Sequence, residues 1–225
     1  MTPPTPRASR EYLAALYEMA EENIPLLQAR LAEWMGVSRP SVSEAIKRLT
    51  RDGLVTANGR TLAFTKEGRR LARTLVDRHR LAEHFLIRIL GLPWHRAHEE
   101  AAGWERVMTD TVERRIREIL HDPPTCPHGN PIHGSKKAVD QSGLVPLPEV
   151  EPGQTVLVGR LTEDLELNTE VMRFFEDGGL MPGARVKIEG TAPDGTITLR
   201  TRGKTVALGE HLADNIWVQR AGGRK

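Results

Sequence analysis

The chain has one cysteine, Cys126, among its 225 residues. A lone thiol cannot close an internal disulfide, so packing must hold the fold, as expected in a reducing cytoplasm. No apolar run approaches the roughly 20 residues of a membrane helix. The opening MTPPTPRASR lacks the apolar core of a signal peptide. A soluble, cytoplasmic protein without a membrane partner is expected. Excess charge is also lacking: the formal net charge is +2, which alone does not point to nucleic acid. Its distribution says more, because residues 1–72 hold 11 Lys and Arg against 8 Asp and Glu, whereas 153–225 hold 10 against 10. No internal repeat is visible. The length suits one large domain or two to three small ones.

Helical spacing dominates the first half. Leu13, Leu16, Tyr17 and Ala20 recur at three and four over residues 11–20. Pro25 ends that stretch, and Leu26, Leu27, Leu31 and Trp34 mark a second, shorter helix closed by Gly36. Ser38 is a good cap for a third, with Pro40 tolerated in its first turn and Val42, Ala45, Ile46 and Leu49 as its apolar stripe. Residues 55–64 read as a hairpin around Asn58-Gly59. Thr65 opens a helix running to Leu90, and 94–120 read as one more long helix. Trp94, Trp104, Leu86, Ile89 and Leu90 read as a dimer core. Residues 121–152, rich in Pro and Gly, read as a partly ordered linker. Beyond them, short strands are expected at 155–158, 186–188, 196–199, 205–208 and 216–218, with a helix at 169–176 and a turn at Asp194-Gly195. The expected fold is mainly α with a small β barrel. It divides into a winged helix-turn-helix over 1–72, a helical dimerisation and metal-binding domain with linker over 73–145, and the barrel over 153–222.

In a winged helix-turn-helix the third helix enters the major groove with its N-terminal residues at the base edges. Ser38, Arg39, Pro40, Ser41, Ser43 and Glu44 occupy that end. Arg39 is the expected reader of a guanine or a phosphate, since its planar fork bonds bidentately. Lys47, Arg48 and Arg51 lie further along and Arg60 sits on the wing, where they would meet phosphates and position the protein. The implied partner is a double-stranded DNA operator, bound by a homodimer, because a monomer buries too little DNA surface. The plainer alternative is a helix-turn-helix used for protein contacts, its basic residues a solvated face.

Potential metal ligands follow. His79 and Glu83 stand one helical turn apart, and His98, Ala102 and Glu105 share a face of the next expected helix. The Pro-rich loop carries Cys126-Pro127-His128. Imidazole, carboxylate and thiolate are the groups that bind late first-row divalent ions. A surface His–Glu pair without an ion is the alternative. His84, His95, His121 and His133 fit no ligand pattern and read as surface residues.

Seven stretches carry a resemblance: Leu31-Ala32-Glu33, Pro40-Ser41-Val42-Ser43, Arg51-Asp52-Gly53-Leu54-Val55, Thr65-x-x-Gly68, His79-Arg80-Leu81-Ala82-Glu83, Trp104-Glu105-x-Val107-Met108 and Gly129-Asn130-Pro131-Ile132. With them the chain resembles, along nearly its whole length, the diphtheria toxin repressor family of iron- and manganese-dependent regulators. The resemblance implies an SH3-like last domain, a homodimer that represses metal-uptake genes, and Mn(II), ahead of Fe(II), as cofactor. It implies one metal site on His79, Glu83 and His98. As in the family's manganese regulators, Cys126 and His128 would join Glu83, with Asp164 or Glu163 from the last domain. A second family site maps onto Glu11, Ala102, Glu105 and Arg106, where Ala102 cannot ligate and Arg106 brings a fixed charge. Arg106 would either pair with Glu105 or Glu11 in place of a cation or face solvent. Asn168 and Val171 match the family's last-domain ligands poorly. An enzyme such as a zinc hydrolase is the competing class, but the chain lacks the His-Glu-x-x-His helix. A regulator locked by Arg106 and needing no metal is the other competitor.

Overall fold

A computed structural model describes residues 7–137 and 139–220. Residues 1–6, part of the stretch read for a signal peptide, and the last two residues of the expected 153–222 domain lie outside them. The described residues form two compact units, one within 7–79 and 103–113 and the other within 80–102 and 114–220.

The first unit contains α1 (Arg7–Glu21), α2 (Gln28–Trp34), α3 (Arg39–Arg51), β1 (Val55–Asn58), β2 (Thr61–Phe64) and the first part of α4 (Lys66–Arg88). Leu13, Leu16, Met19, Leu31, Val42, Leu49 and Leu75 form its core. Leu13, Leu16, Leu31, Val42 and Leu49 are positions that helical periodicity nominates, and Met19 and Leu75 join them. Ser38 caps α3 as expected, its Oγ accepting from Ser41 N at 3.3 Å, with Pro40 in the first turn. β1 and β2 pair antiparallel from Val55↔Phe64 to Asn58↔Thr61, and Gly59 takes φ +60 in the turn. The wing is tied back by Leu62 N donating to Leu26 O at 2.8 Å. Thr65 caps α4: its Oγ1 accepts from Gly68 N at 3.0 Å and donates to Gly53 O at 2.7 Å.

The expected single helix over 94–120 is broken. A 3-10 turn at Trp94–Arg96 leads into α5 (Ala97–Ala101), α6 (Trp104–Val107) and α7 (Asp110–Ile119). Ala102 leaves helical geometry at ψ 115, Gly103 takes the left-handed φ of +101, and Met108 is extended at ψ 116. Glycine alone tolerates that φ without strain. Consequently His98 and Glu105, expected on one helix face, fall in different units.

In the second unit, β3 (Leu144–Pro146), β4 (Thr155–Leu161), α8 (Glu163–Glu166), α9 (Thr169–Gly178), β5 (Arg185–Thr191), β6 (Ile197–Arg200), β7 (Thr205–Leu208), α10 (Glu210–Asp214) and β8 (Ile216–Arg220) follow in order. The sheet order is β3-β8-β4-β5-β6-β7, antiparallel throughout. β3 lies inside the stretch expected as a linker. Val156, Val158, Leu161, Met172, Phe175, Ile188 and Leu199 fill the core, and Trp94 is buried with them. Trp94 is therefore an intrachain core residue rather than part of a dimer core. Leu86 is also buried, whereas Ile89 and Leu90 are exposed. The register of β4 against β8 shifts between Val158 and Arg160, a bulge at Gly159 that aims Arg160 towards the site described below.

Gly68 is the tightest backbone position in the first unit: a Cβ there would stand 1.7 Å from Leu54 O. The obstacle is backbone, so neither side can yield cheaply. Gly68→Ala is expected to destabilise the protein by about 2–3 kcal/mol or more, as overpacking does. Chemical denaturation checks this, and an unchanged midpoint contradicts it.

Candidate metal centre

Four segments of the second unit bring buried polar groups to one place. The end of α4 supplies Arg80, Glu83 and His84. The loop from Thr125 to Pro131 supplies Cys126 and His128, α5 supplies His98, and α8 supplies Glu163 and Glu166. Thr125 bridges to Pro131, and Cys126 N donates to Asn130 O at 2.7 Å, so the loop is a closed turn. Gly129 has φ +96, and a Cβ on it would lie 2.3 Å from Gly159 O and 2.6 Å from Arg160 Cα. Only glycine lets the loop backbone lie this close to β4. Leu161 N donates to His128 O at 2.9 Å. Asn130 Nδ2 donates to Leu161 O at 2.9 Å and to Glu166 Oε1 at 2.6 Å, while its Oδ1 accepts from Arg160 Nη1 at 2.9 Å. His84 Nε2 donates to Thr125 O at 2.6 Å, and Trp94 Nε1 to Pro127 O at 3.1 Å. The Trp94 ring meets His128 edge-on at 4.7 Å.

His128 Nδ1 lies 2.7 Å from Glu166 Oε2 and 3.6 Å from Glu83 Oε2. His98 Nδ1 lies 3.1 Å from Glu83 Oε1, 3.2 Å from Glu166 Oε2 and 4.0 Å from Glu163 Oε2. Cys126 Sγ stands 4.0 Å from His128 Nδ1. One donor atom each from Glu83, Cys126, His128 and Glu166 fits within 4.8 Å of every other, and all four residues are buried. Glu163 instead receives Arg80 Nε at 3.0 Å, and Arg80 Nη1 donates to Pro131 O at 2.6 Å.

These contacts set the electrostatics. Three buried carboxylates share the space with one guanidinium in direct contact, an imbalance that burial makes expensive. The two imidazoles answer it. Burial works against protonating His98, but Glu166 and Glu83 outweigh it and hold its pKa well above the usual histidine value. The same balance, with Glu166 foremost, raises His128. Burial works against ionising Glu166, yet His128 keeps its pKa below the usual carboxylate value. The Cys126 thiol is pushed up to about 12 by burial and by the charges of Glu83 and Glu166. A bound cation would replace the imidazolium protons and lower the thiol pKa. Two carboxylates, an imidazole and a sulfur converging in this way form a donor set that fits a late first-row divalent ion. His128 Nε2, buried without a hydrogen bond among the described residues, leaves the other ring nitrogen to its neighbours.

The remaining candidates are placed as follows. Asp164 turns away from the cluster and stands 3.5 Å from His211 Nε2, because in α8 only residues three apart share a face. Glu166, which sequence reasoning passed over, lies among the donors; the Glu-x-x-Glu spacing from Glu163 is the signal that could have found it. Asn168 caps α9 by accepting from Glu170 N and Val171 N, and Val171 packs against the core. His84 is partly buried and holds the loop, and His95 bonds Glu176 at 2.5 Å, so neither is a bystander on the surface. His121 and His133 are exposed.

In the first unit, Arg106 pairs with both Glu11 and Glu105, and His79 Nδ1 stands 3.7 Å from Glu105 Oε2. Ala102 is exposed and offers no donor. At the start of α3, Ser38, Arg39, Pro40 and Ser41 are exposed and Ser43 half-buried. With Leu27, Ala29 and Arg60, Arg39, Pro40 and Ser43 line a groove of about 580 Å³. Lys47 and Arg51 are exposed, while Arg48 Nε pairs with Glu44 at 3.1 Å.

Three family descriptions match the chain. The iron dependent repressor N-terminal DNA binding domain matches residues 6–61. The iron dependent repressor metal binding and dimerisation domain matches 65–134, and the FeoA domain 145–220. The iron-dependent repressor IdeR of Mycobacterium tuberculosis (strain ATCC 25618 / H37Rv) is 38% identical over 220 residues, covering 93% of this chain and 95% of that protein. The diphtheria toxin repressor of Corynebacterium diphtheriae is 37% identical over 220 residues, covering 92% and 95%. Among solved structures, a manganese-dependent transcriptional repressor in complex with manganese shares 31% identity at TM-score 0.81, covering 94% of this chain and 99% of that one. ScaR with bound Zn2+ shares 27% identity at TM-score 0.77, with 94% and 99% covered.

A pKa raised in the folded state contributes stability that is complete below the unfolded value and is lost as the pH rises through the folded one. His98 and His128 both have raised values. Metal-free protein is therefore expected to lose thermal stability as the pH climbs from about 6.5, and Mn(II) to flatten that decline. A chelator-treated sample whose melting temperature stays level or rises over the same window contradicts the assignment.

Proposed function

The chain belongs to the iron-dependent repressor family, and we propose that it is a Mn(II)- or Fe(II)-dependent transcriptional repressor that binds a double-stranded DNA operator as a homodimer. The observation that carries this reading is the meeting of Glu83, Cys126, His128 and Glu166 in one buried cluster. His98 adjoins it. A bound divalent ion would supply two positive charges and coordinate bonds to these residues. The chain's own groups do the rest: Arg80 holds Glu163 aside, Asn130 orients Glu166, and His84 and Trp94 fix the loop. Carboxylates and imidazole suit Mn(II) and Fe(II), while the thiolate adds affinity for softer ions.

The exposed Ser38-Arg39-Pro40-Ser41 turn and the neighbouring groove support docking of α3 in a major groove, with Arg60 on the wing against phosphate. Exposed Ile89, Leu90 and Ile119 support burial against a second copy. The three functional segments we assign are 1–72, 73–145 and 153–222. A repressor of this kind would act in the cytoplasm on genes for metal uptake. A buried centre suits a switch better than an enzyme, which needs a position open to substrate.

Gel shifts with the protein's own upstream DNA, in Mn(II) and in chelator, test the reading. Cys126→Ser and Glu166→Gln are each expected to weaken Mn(II) binding at least about 10-fold and to abolish the Mn(II)-induced shift. Retention of Mn(II)-dependent DNA binding by both variants contradicts the assigned centre. Arg39→Ala is expected to cost about 1–3 kcal/mol of operator affinity at constant salt without changing Mn(II) affinity. Wild-type operator affinity in this variant would exclude the proposed docking of α3.

A further inference from the structure

The first unit holds a second polar cluster, half-buried around Glu105 and Arg106 and open to solvent at Glu11, that the proposed centre does not use. Glu11 lies on α1, and Glu105 and Arg106 lie on α6. The side chains of Glu105 and Arg106 are only 12% and 17% exposed. Glu105 Oε1 is 3.2 Å from Arg106 Nε. Glu105 Oε2 accepts from Gly103 N at 2.9 Å and stands 3.7 Å from His79 Nδ1. Arg106 Nη1 donates to Glu11 Oε1. Two carboxylates with an imidazole beside them are donors of the kind that hold divalent ions. Here they close on a guanidinium. Gly103 takes φ +101, which favours glycine, and its bare Cα leaves room beside it for the guanidinium: a Cβ there would stand 2.8 Å from Arg106 Nη2.

We propose that Arg106 is a built-in cation that closes the Glu11–Glu105 pair, so that α1 is clasped to α6 without a metal ion in that place. A guanidinium keeps its charge throughout the physiological range. It is tethered by its own main chain, so its occupancy does not follow the metal supply. Its Nη1 donates to Glu11, while its Nε stands at ion-pair distance from Glu105, so one delocalised charge faces both carboxylates. A divalent ion approaching either carboxylate would meet this fixed positive charge at bonding distance. The clasp is therefore present in metal-free and metal-loaded protein alike. Sensing rests on the other donors, and the clasp stands whether or not the Cys126 cluster proves to be the sensor.

Equilibrium dialysis of the full chain against Mn(II), with hydrogen exchange on the same samples, tests the clasp. Glu105→Gln is expected to leave the number of tightly bound Mn(II) ions unchanged, both in the wild-type background and in a Glu83→Gln/Cys126→Ser background that disables the other cluster. Amide protection across α1 is expected to be equal in Mn(II) and in chelator. It should fall at least tenfold in Arg106→Ala. Arg106→His is expected to gain one Mn(II) that Glu105→Gln removes, and to make α1 protection dependent on Mn(II). A tight ion in Arg106-containing protein that Glu105→Gln abolishes would overturn the proposal, as would unchanged α1 protection in Arg106→Ala or no gain of Mn(II) in Arg106→His. Failure of the Cys126 reading shows instead as Mn(II) binding insensitive to Glu83→Gln/Cys126→Ser, a separate result.

Discussion

Glu83, Glu163 and Glu166 are buried together against two guanidinium groups, Arg80 on Glu163 and Arg160 on the Asn130 that holds Glu166. That imbalance constrains everything around it. Uncompensated buried charge costs several kcal/mol, so the fold must either protonate its neighbours or admit a cation. His98 and His128 take the first role, and Cys126 stays a thiol while they do. Protons on the two imidazoles that a divalent ion can displace would couple such an arrangement to metal concentration.

The surrounding contacts keep the carboxylates from rearranging. Arg80 occupies Glu163 and the Pro131 carbonyl, so the last turns of α4, the loop and α8 are joined through one side chain. Asn130 uses its amide to hold Glu166 and the end of β4, and Arg160, aimed by the bulge at Gly159, holds Asn130. Such supporting groups set ligand orientation and hence affinity. The first unit handles its own carboxylates differently: Glu11 and Glu105 share the guanidinium of Arg106, a permanent charge where the second unit has exchangeable protons. Two ways of neutralising acidic groups thus coexist in one chain.

Much of this is written in local signals. The Ser38 cap, Pro40 in the first turn, the Asn58-Gly59 hairpin and the Thr65 cap each act over a few residues, and each takes the expected form. The pairing of Arg106 with Glu11 and Glu105 could be anticipated from their charges. What escaped depends on tertiary context. A glycine within a helical pattern is usually tolerated, and the break at Gly103 becomes definite only through its φ of +101 and the guanidinium packed against it. Composition marks 121–152 as a linker, yet Gly129 is there because β4 lies too close for any side chain. Choosing among Glu163, Asp164 and Glu166 required the phase of α8, a single helical turn too short for periodicity to reveal. Trp94 looked like an interface residue because its partners in the sheet lie more than 50 residues further on.

The claim at the centre is that sulfur, imidazole and carboxylate from Cys126, His128, Glu83 and Glu166 surround one ion. X-ray absorption at the manganese edge of the Mn(II)-loaded full chain tests it most directly. One sulfur scatterer in the first shell, lost in Cys126→Ser while the imidazole signal persists, is the predicted result. A shell of oxygen and nitrogen alone in the wild-type protein would contradict it.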